Sequence, residues 1–278
     1  MTVPAILAAR KPAAPHAGAP LVVERDGGVV VATLARPPVN ALDADLVARL
    51  AELVDAASAT AGTAVLHIRS DERAFCAGAD LALMQACFAS PEGVAAMVEL
   101  VRKMQRLFAC IEAAPVVTIA EIGGAALGGG FELALACDLR VAACEAKLGL
   151  PEANLGLVPA AGGTQRLTRL AGAGIAKRLI LGAEVVDGGQ AERLGLVQWA
   201  RPRAELAAWT RALAQRIAAL PREALAANKA CIGAAGSPTR DGYADEIAAT
   251  RALYDSEETR ERVARFLAAR STHTKEER

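Results

Sequence analysis

The stretch Glu121-Ile-Gly-Gly-Ala-Ala-Leu-Gly-Gly-Gly-Phe-Glu132-Leu-Ala-Leu-Ala-Cys-Asp138 joins five glycines within eight residues to an acid and an apolar run. The apolar, β-branched residues 115–120 precede it and predict a strand. The predicted order of strand, glycine loop and helix leaves N–H groups without acceptors at the positive end of a helix dipole. Such a loop binds an anion or stabilises an oxyanion. The alternative is a tight turn that uses the backbone freedom of glycine.

Composition favours one large globular domain or a domain with an appendage. The chain has 278 residues, of which 53% are hydrophobic and 22% charged. Its formal net charge is +0 and its aromatic content only 3%, so neither bulk charge nor stacking surfaces favour nucleic-acid binding. No uncharged apolar run is long enough to span a membrane. We therefore expect neither nucleic acid nor a membrane among the partners.

The cysteines and histidines argue against several kinds of catalytic site. None of the six cysteines forms a C-x-x-C pair, which favours reduced thiols and a cytoplasmic location. Only three histidines occur, and His67 lies in a predicted strand, where a structural role is expected. The sequence has no G-x-S-x-G elbow and no P-loop, and its glycines do not spell a dinucleotide-binding motif. Zinc, a serine triad and a dinucleotide cofactor are all disfavoured.

The pattern of elements changes near residue 200. Residues 21–24 and 29–34 predict a hairpin, Asp43 predicts the cap of a helix that runs to about residue 59, and 65–69 predict a strand. We predict three regions: a flexible tail (1–20), an α/β core that carries the site (21–200), and a helical region (201–278). An apolar stripe at helical spacing follows Pro91 and is interpreted as core packing; it comprises Val94, Met97, Val101, Met104, Phe108 and Ile111.

Three features could meet at one site. The backbone of Ala77-Gly-Ala-Asp80 and the glycines at 128–130 each follow a predicted strand or strand-like run, so two N–H groups could face one oxygen. The third feature is a pair of acids, Glu132 and Glu152, which suits acid–base work beside a carbonyl. The alternatives are a first-turn acid favoured by the helix dipole for Glu132 and a solvated loop charge for Glu152.

Five motifs together resemble the enoyl-CoA hydratase/isomerase (crotonase) family. The resemblance runs in the right order from about residue 21 to about residue 270. Each motif is weak by itself, and the set is specific. The motifs are Arg36-Pro-Pro-Val-Asn-Ala-Leu, Phe75-Cys-Ala-Gly-Ala-Asp80, Ala126-Leu-Gly-Gly-Gly-Phe-Glu132-Leu-Ala, Pro151-Glu152 and Gly162-Gly-Thr-Gln-Arg-Leu.

The resemblance implies a spiral of β-β-α units and a C-terminal helical region that trimerises and covers the active site. It also implies a homotrimer or a dimer of trimers. The N–H groups of Ala79 and Gly129 would hold the thioester oxygen of an acyl-CoA. Glu132 would activate water for addition at the β-carbon, and Glu152 would exchange the α-carbon proton. Because both acids are present, hydration of a 2-trans-enoyl-CoA to a 3-hydroxyacyl-CoA is expected, with no cofactor beyond the CoA of the substrate.

Contacts to the substrate or its CoA are assigned by the same resemblance to seven further residues. The lysine that family members often carry after Asp80 is absent, since Ala82 and Leu83 occupy that place. A double-bond isomerase, a hydratase-lyase acting on an aromatic enoyl-CoA and a non-catalytic acyl-CoA-binding protein remain alternatives. The seven residues are Arg36, Arg73, Ala77, Asp80, Leu81, Gly128 and Arg270.

Overall fold

The computed structural model of the protein describes residues 19–237 and 239–276, with side chains up to residue 268. Nearly all of the predicted tail, 1–20, lies outside the described residues. Ten strands are found in the described part of the chain: β1 (Leu21–Asp26), β2 (Val29–Leu34), β3 (Val65–Ser70), β4 (Ala74–Cys76), β5 (Val117–Ile122), β6 (Ala125–Leu127), β7 (Leu139–Ala143), β8 (Lys147–Gly149), β9 (Val185–Asp187) and β10 (Trp199–Arg201).

Helices follow or separate these strands, and one 3-10 helix (Pro151–Leu155) lies between β8 and the fifth helix. Within the described residues the helices are α1 (Ala44–Ala59), α2 (Leu81–Cys87), α3 (Pro91–Ala113), α4 (Gly129–Ala136), α5 (Gly163–Leu181), α6 (Gly188–Arg193), α7 (Arg203–Ala218), α8 (Arg222–Ala234), α9 (Gly242–Asp255) and α10 (Glu257–Glu276).

The strands form two sheets. The larger sheet has the order β1-β2-β3-β5-β7-β10, and the smaller has the order β4-β6-β8-β9. Only the β1–β2 hairpin and the β8–β9 pair are antiparallel; all other described pairs are parallel. From β3 to β8, each turn of the chain contributes one strand to each sheet and is followed by a helix or a loop. The predicted hairpin and the predicted α/β spiral of β-β-α units are confirmed.

The first helix shows how local sequence sets an element. The side chain of Asp43 accepts a hydrogen bond from the Leu46 N–H at 2.9 Å, as an N-cap does. Leu46, Leu50 and Leu53 repeat at helical spacing and are buried against the large sheet and α3. The cap and the apolar face predicted from the sequence are both confirmed.

After Arg201, every element of the described chain is a helix, as predicted. Helix α7 packs against strands of the larger sheet, and Leu206 and Leu213 on it are buried. Helices α8, α9 and α10 contact mainly one another. In the described residues, no helix has both the length and the apolar character that a membrane crossing needs.

Candidate active site

The glycine loop turns the chain from β6 into α4. Gly128 has φ +52° and ψ −128°, a conformation open to glycine and not to other residues. Its N–H donates to the Gly149 carbonyl on β8 at 3.0 Å. The next N–H, that of Gly129, is the first of the helix and donates to no other group of the described residues. The predicted free donor at a helix start is therefore present.

A second loop, 77–80, packs directly on this turn. Gly78 has φ +93°, and a Cβ placed there would lie 2.9 Å from the Leu127 carbonyl oxygen and 3.2 Å from the Gly129 nitrogen. The Gly78 carbonyl accepts from the Leu42 N–H at 2.8 Å, while the Ala79 N–H has no acceptor in the part of the chain that is described. Ala79 and Gly129 line the same cavity, so their N–H groups are candidates for an oxyanion hole.

This cavity has a volume of about 570 Å³ and walls that are almost wholly apolar. The two polar side chains among its described lining residues are those of Glu132 and Glu152. All three internal methionines also line it. The apolar part of the wall comes mainly from α2, α3 and the segment after the 3-10 helix, and includes Leu81, Met84, Phe88, Val94, Met97, Val98, Leu100, Val101, Met104, Leu155, Leu157 and Val158.

The apolar stripe on α3 was expected to be core, and for its first half that prediction is wrong. Val94, Met97 and Val101 line the cavity, and Val94 is 45% exposed. Phe108 and Ile111, later on the same helix, are buried in the core. Helical spacing of apolar residues identifies the inward face of a helix, and it does not distinguish a packed core from an apolar cavity.

Glu132 lies in the first turn of α4 and is only 3% exposed. Its Oε1 accepts a hydrogen bond from the Gly163 N–H at 2.7 Å. Burial raises the pKa of its carboxyl to about 7; the nearby Glu152 adds to the rise, and the Gly163 and Ala161 N–H groups oppose it. A first-turn acid that merely favours the helix dipole would sit in solvent, and this carboxyl faces a cavity.

Glu152 is the second residue of the 3-10 helix and reaches over the glycine loop. A Cβ at Gly128 would lie 3.0 Å from its Oε1. Its other oxygen, Oε2, is buried and has no hydrogen-bond partner among the described residues. Burial also raises the pKa of this carboxyl. These surroundings do not fit the alternative of a solvated loop charge.

Three of the seven residues assigned to substrate or CoA contacts line the cavity: Ala77, Leu81 and Gly128. The structure places Arg36, Arg73 and Asp80 outside its wall. The exposed Arg73 side chain lies on the surface. Arg270 belongs to α10, and its side chain lies outside the described residues.

Arg36 has a different visible role, because it links two helix caps. Its Nε lies 3.0 Å from Oδ2 of Asp43, and its Nη2 lies 3.1 Å from Oδ2 of Asp80. Asp43 caps α1 and Asp80 caps α2. The pKa of Asp80 is lowered mainly by a hydrogen bond from the Leu83 N–H and next by one from Arg36. Arg36 thereby fixes the end of the loop that carries Ala79.

The donors to Glu132 were missed by sequence reasoning. They belong to residues 161–163, at the start of the Gly162-Gly-Thr-Gln-Arg-Leu motif, which was read as a helix start and as part of the family resemblance and not as a source of donors. The signal was available, since two glycines before a helix leave N–H groups free to bind a carboxylate. No cluster of histidine, cysteine and acidic side chains suited to a metal occurs among the described residues.

Comparison with known proteins identifies the family of this chain. The sequence model of the enoyl-CoA hydratase/isomerase family matches residues 24–277. The chain belongs to the enoyl-CoA hydratase/isomerase family. The resemblance found in the five motifs is confirmed.

Curated relatives in this family include hydratases with different acyl groups in their names. The mitochondrial methylglutaconyl-CoA hydratase of Mus musculus is 40% identical over 176 residues, which cover 63% of this chain and 54% of the relative. The chain thus matches about half the length of that protein. The crotonyl-CoA hydratase of Syntrophomonas wolfei is 34% identical over 212 residues, 76% of this chain and 80% of the relative.

Solved structures that resemble this chain confirm the fold class. An enoyl-CoA hydratase of Geobacillus kaustophilus superposes with a TM-score of 0.85 at 30% identity, covering 90% of this chain and 94% of that one. DspI of Pseudomonas aeruginosa superposes with a TM-score of 0.84 at 35% identity, covering 93% of this chain and 98% of that one.

Proposed function

We propose that this chain is an enoyl-CoA hydratase, which adds water syn across a 2-trans-enoyl-CoA to give a 3-hydroxyacyl-CoA. One observation carries the proposal: the buried carboxyl of Glu132 and the half-buried carboxyl of Glu152 face one apolar cavity beside two N–H groups that have no acceptor in the described chain. Isomerisation needs one acid that moves a proton between carbons. Addition of water needs a second acid to hold and activate the water.

The proposed chemistry assigns one task to each group. Ionised Glu132 takes a proton from water while the water oxygen bonds to the β-carbon. The electron pair of the double bond moves through the α-carbon to the thioester oxygen, where the Ala79 and Gly129 N–H groups stabilise the enolate. Glu152, protonated, then gives a proton to the α-carbon, and the carbonyl re-forms. Proton exchange with solvent water returns both carboxyls to their starting states, so no cofactor is needed beyond the CoA of the substrate.

The surroundings of the two acids suit these tasks. A base works best when its pKa lies near the operating pH, and burial brings the pKa of Glu132 to about 7. Burial also raises the pKa of Glu152, which favours the protonated form that an acid needs. Two neighbouring carboxylates repel each other, so the pair favours holding one proton, and the proposed mechanism places that proton on Glu152.

The apolar walls favour an uncharged acyl group. Of the described lining side chains, none carries a positive charge and two are acids. A free carboxylate on the acyl group, as in methylglutaconyl-CoA, would be buried without a partner beside Glu132 and Glu152. Met84, Met97 and Met104 have flexible side chains that adapt to chains of different length. We propose straight, apolar 2-enoyl-CoA esters as substrates.

An absorbance assay tests the proposed function. The purified protein should remove the enoyl-thioester absorbance of crotonyl-CoA and of longer straight-chain 2-enoyl-CoA esters. It should act at least about 100-fold less well on methylglutaconyl-CoA, because an unpaired buried charge costs about 3 kcal/mol or more. Turnover of methylglutaconyl-CoA at the rate of crotonyl-CoA would contradict the apolar pocket.

Variants of the two acids separate the remaining alternatives. Glu132→Gln and Glu152→Gln should each lower hydration by about 10²- to 10⁴-fold while the circular dichroism spectrum stays that of the wild type. Activity on a 3-enoyl-CoA that survives in Glu132→Gln would favour an isomerase. Tight binding of CoA esters with no turnover of any substrate would favour a non-catalytic protein.

A further inference from the structure

The turn at 160–163, between the 3-10 helix and α5, is held from two sides. On one side the Gly163 N–H donates to Glu132 Oε1 at 2.7 Å. On the other side the Ala160 carbonyl accepts from Gln105 Nε2 at 2.6 Å, and the Ala161 carbonyl accepts from Arg166 Nη1 at 3.1 Å. A trans peptide directs its C=O and N–H in opposite directions. Holding these carbonyls therefore fixes the direction of the N–H groups in the turn.

In each peptide unit whose N–H favours ionised Glu132, the carbonyl accepts a hydrogen bond from another residue. The Ala160 carbonyl shares a peptide unit with the Ala161 N–H, one of the two N–H groups that favour ionised Glu132. The Gly162 carbonyl shares a unit with the Gly163 N–H, and it accepts from the backbone N–H of Arg166 at 2.9 Å. The Arg166 side chain holds the peptide unit between these two, which joins the Ala161 carbonyl to the Gly162 N–H. Arg166 thus contacts this turn through both its backbone and its side chain.

The Arg166 side chain is itself anchored on α3. Its Nη2 and Nε lie 2.9 and 3.1 Å from Oε2 of Glu112, and the side chain is only 9% exposed. Gly162 has φ +107° and leaves room for the guanidinium, since a Cβ there would collide with Arg166 Nη1. A chain of hydrogen bonds therefore leads from the surface of α3 to Glu132. It runs through the Glu112 carboxylate, the Arg166 side chain and the turn.

We propose that Arg166, assisted by Gln105, is a positioning residue that orients the 160–163 turn so that its N–H groups bind Glu132. The inference rests on the proposed function for its kinetic consequence. Arg166 does not line the cavity, so it acts on the reaction through the turn and through its charge.

The charges that act on Glu132 come from two elements. Glu152 on the 3-10 helix disfavours its ionised form, and Arg166 on α5 favours it. Glu112 on α3 reaches it only by way of Arg166. Loss of Arg166 removes a positive charge and loosens the N–H donors, and both changes raise the pKa of Glu132.

Arg169 provides a matched control. It bonds the other oxygen of the same partner, Glu112 Oε1, at 3.1 Å, and it is 55% exposed. No hydrogen bond joins its side chain to the 160–163 turn within the described residues. Arg166→Met and Arg169→Met therefore remove the same charge from the same partner, and only the first also removes a side-chain bond to the turn.

Steady-state kinetics across pH make the comparison. Arg166→Met should lower kcat about 10- to 100-fold with little change in KM, as expected when a catalytic group is displaced. The acidic limb of its pH–rate profile should move to higher pH. Arg166→Lys keeps the charge, so its profile should lie between those of Arg166→Met and the wild type. Arg169→Met should match the wild type. Equal behaviour of Arg166→Met and Arg169→Met would overturn the proposal.

Gln105→Met and hydrogen–deuterium exchange test the turn without relying on activity or on a substitution in the core. Gln105 is exposed on α3, so Gln105→Met removes one anchor of the turn without disturbing the core. Hydrogen–deuterium exchange should show faster exchange in a peptide spanning 157–167 in Gln105→Met and Arg166→Met, and unchanged exchange in Arg169→Met. Unchanged exchange in all three would overturn the proposal. A wild type with no hydratase activity would overturn the proposed function instead.

Discussion

At the scale of single residues, burial rather than a charged partner sets the chemistry of the two acids. Glu132 is the clearer case, because burial is the largest cause of its raised pKa and two backbone N–H groups only partly offset it. The sequence predicted both glutamates as acids near a carbonyl. The apolar run before Glu152 indicated unusual surroundings for a charge, but the burial of Glu132 was not visible, because the loop 77–79 that lines the same cavity is distant in the chain.

The pH profile follows from that pKa. Glu132 must be ionised to take a proton from water, so hydration should fall as pH drops through about 7, the pKa of this carboxyl. We expect an acidic limb of kcat/KM near pH 7 in the free enzyme. An acidic limb near pH 4.5, the value of an ordinary glutamate, would contradict the role of Glu132 as the buried base.

The same burial predicts a stability cost that varies with pH. The folded-state pKa of Glu132 is raised from 4.5 to about 7, so its contribution is favourable below pH 4.5 and is lost as pH rises through 7. The loss is of order 3 kcal/mol. Glu132→Gln should therefore raise the free energy of unfolding at pH 8 and change it little at pH 4.

Urea unfolding at both pH values measures this difference. Glu205→Gln, an exposed acid in the first turn of α7, serves as the control and should show no such pH dependence. A Glu132→Gln variant that is equally destabilised at both pH values would contradict the predicted cost of the buried charge.

At the scale of elements, local signals predicted the long elements well and the short ones poorly. The hairpin, the Asp43 cap and the helix after Pro91 follow from turn residues, caps and apolar spacing. Three-residue strands such as β4 and β9 carry too few residues for a period to be visible. Their positions are set by pairing with β6 and β8, which no local pattern encodes.

The glycine loop yields a prediction about backbone geometry. Gly128→Ala forces a disfavoured conformation and puts a methyl group 3.0 Å from Glu152 Oε1. It should lower kcat by at least about 10-fold and destabilise the fold by about 1–3 kcal/mol. Gly195 also has a positive φ, +72°, with nothing near the site of a Cβ.

Gly195→Ala is therefore the control for strain without displacement of an acid. It should lose about 1–2 kcal/mol of stability and keep the wild-type kcat. Thermal unfolding and steady-state kinetics on both variants make the comparison. Loss of kcat to the same extent in Gly195→Ala would show that strain alone, and not contact with Glu152, explains the effect.

At the scale of the whole molecule, the C-terminal helices leave large apolar side chains in solvent. Ile247 is 73% exposed and Tyr254 69% exposed, both on α9, and Ile232 on α8 is 76% exposed. Exposed apolar groups of this size mark an interaction surface. We propose that copies of the chain cover one another here as a homotrimer or a dimer of trimers, as the family resemblance implies.

Sedimentation velocity tests this assembly. We expect a mass of three or six times the 28.6 kDa of the chain. Ile247→Lys combined with Tyr254→Lys should shift it toward the monomer, because a charge buried at an interface is costly. A monomeric wild type at micromolar concentration would contradict the prediction.

The site as a whole was only partly visible in the sequence. The motifs predicted that four residues belong to one site, and the structure places all four on one cavity: Ala79, Gly129, Glu132 and Glu152. The contents of the wall were not predictable, because residues on α3 that line the cavity follow the same spacing as residues in the core. The shape of a cavity depends on how helices pack, which a single helical pattern does not record.

The most direct test of the central claim follows the fate of water. A straight-chain 2-enoyl-CoA is incubated with the protein in water labelled with heavy oxygen, and the product is analysed by mass spectrometry. We predict a product that has gained one water molecule, with the heavy oxygen on the β-carbon, and its near-complete loss in Glu132→Gln. A product of unchanged mass with a moved double bond, or full activity in Glu132→Gln, would contradict the two-acid hydration of an enoyl-CoA.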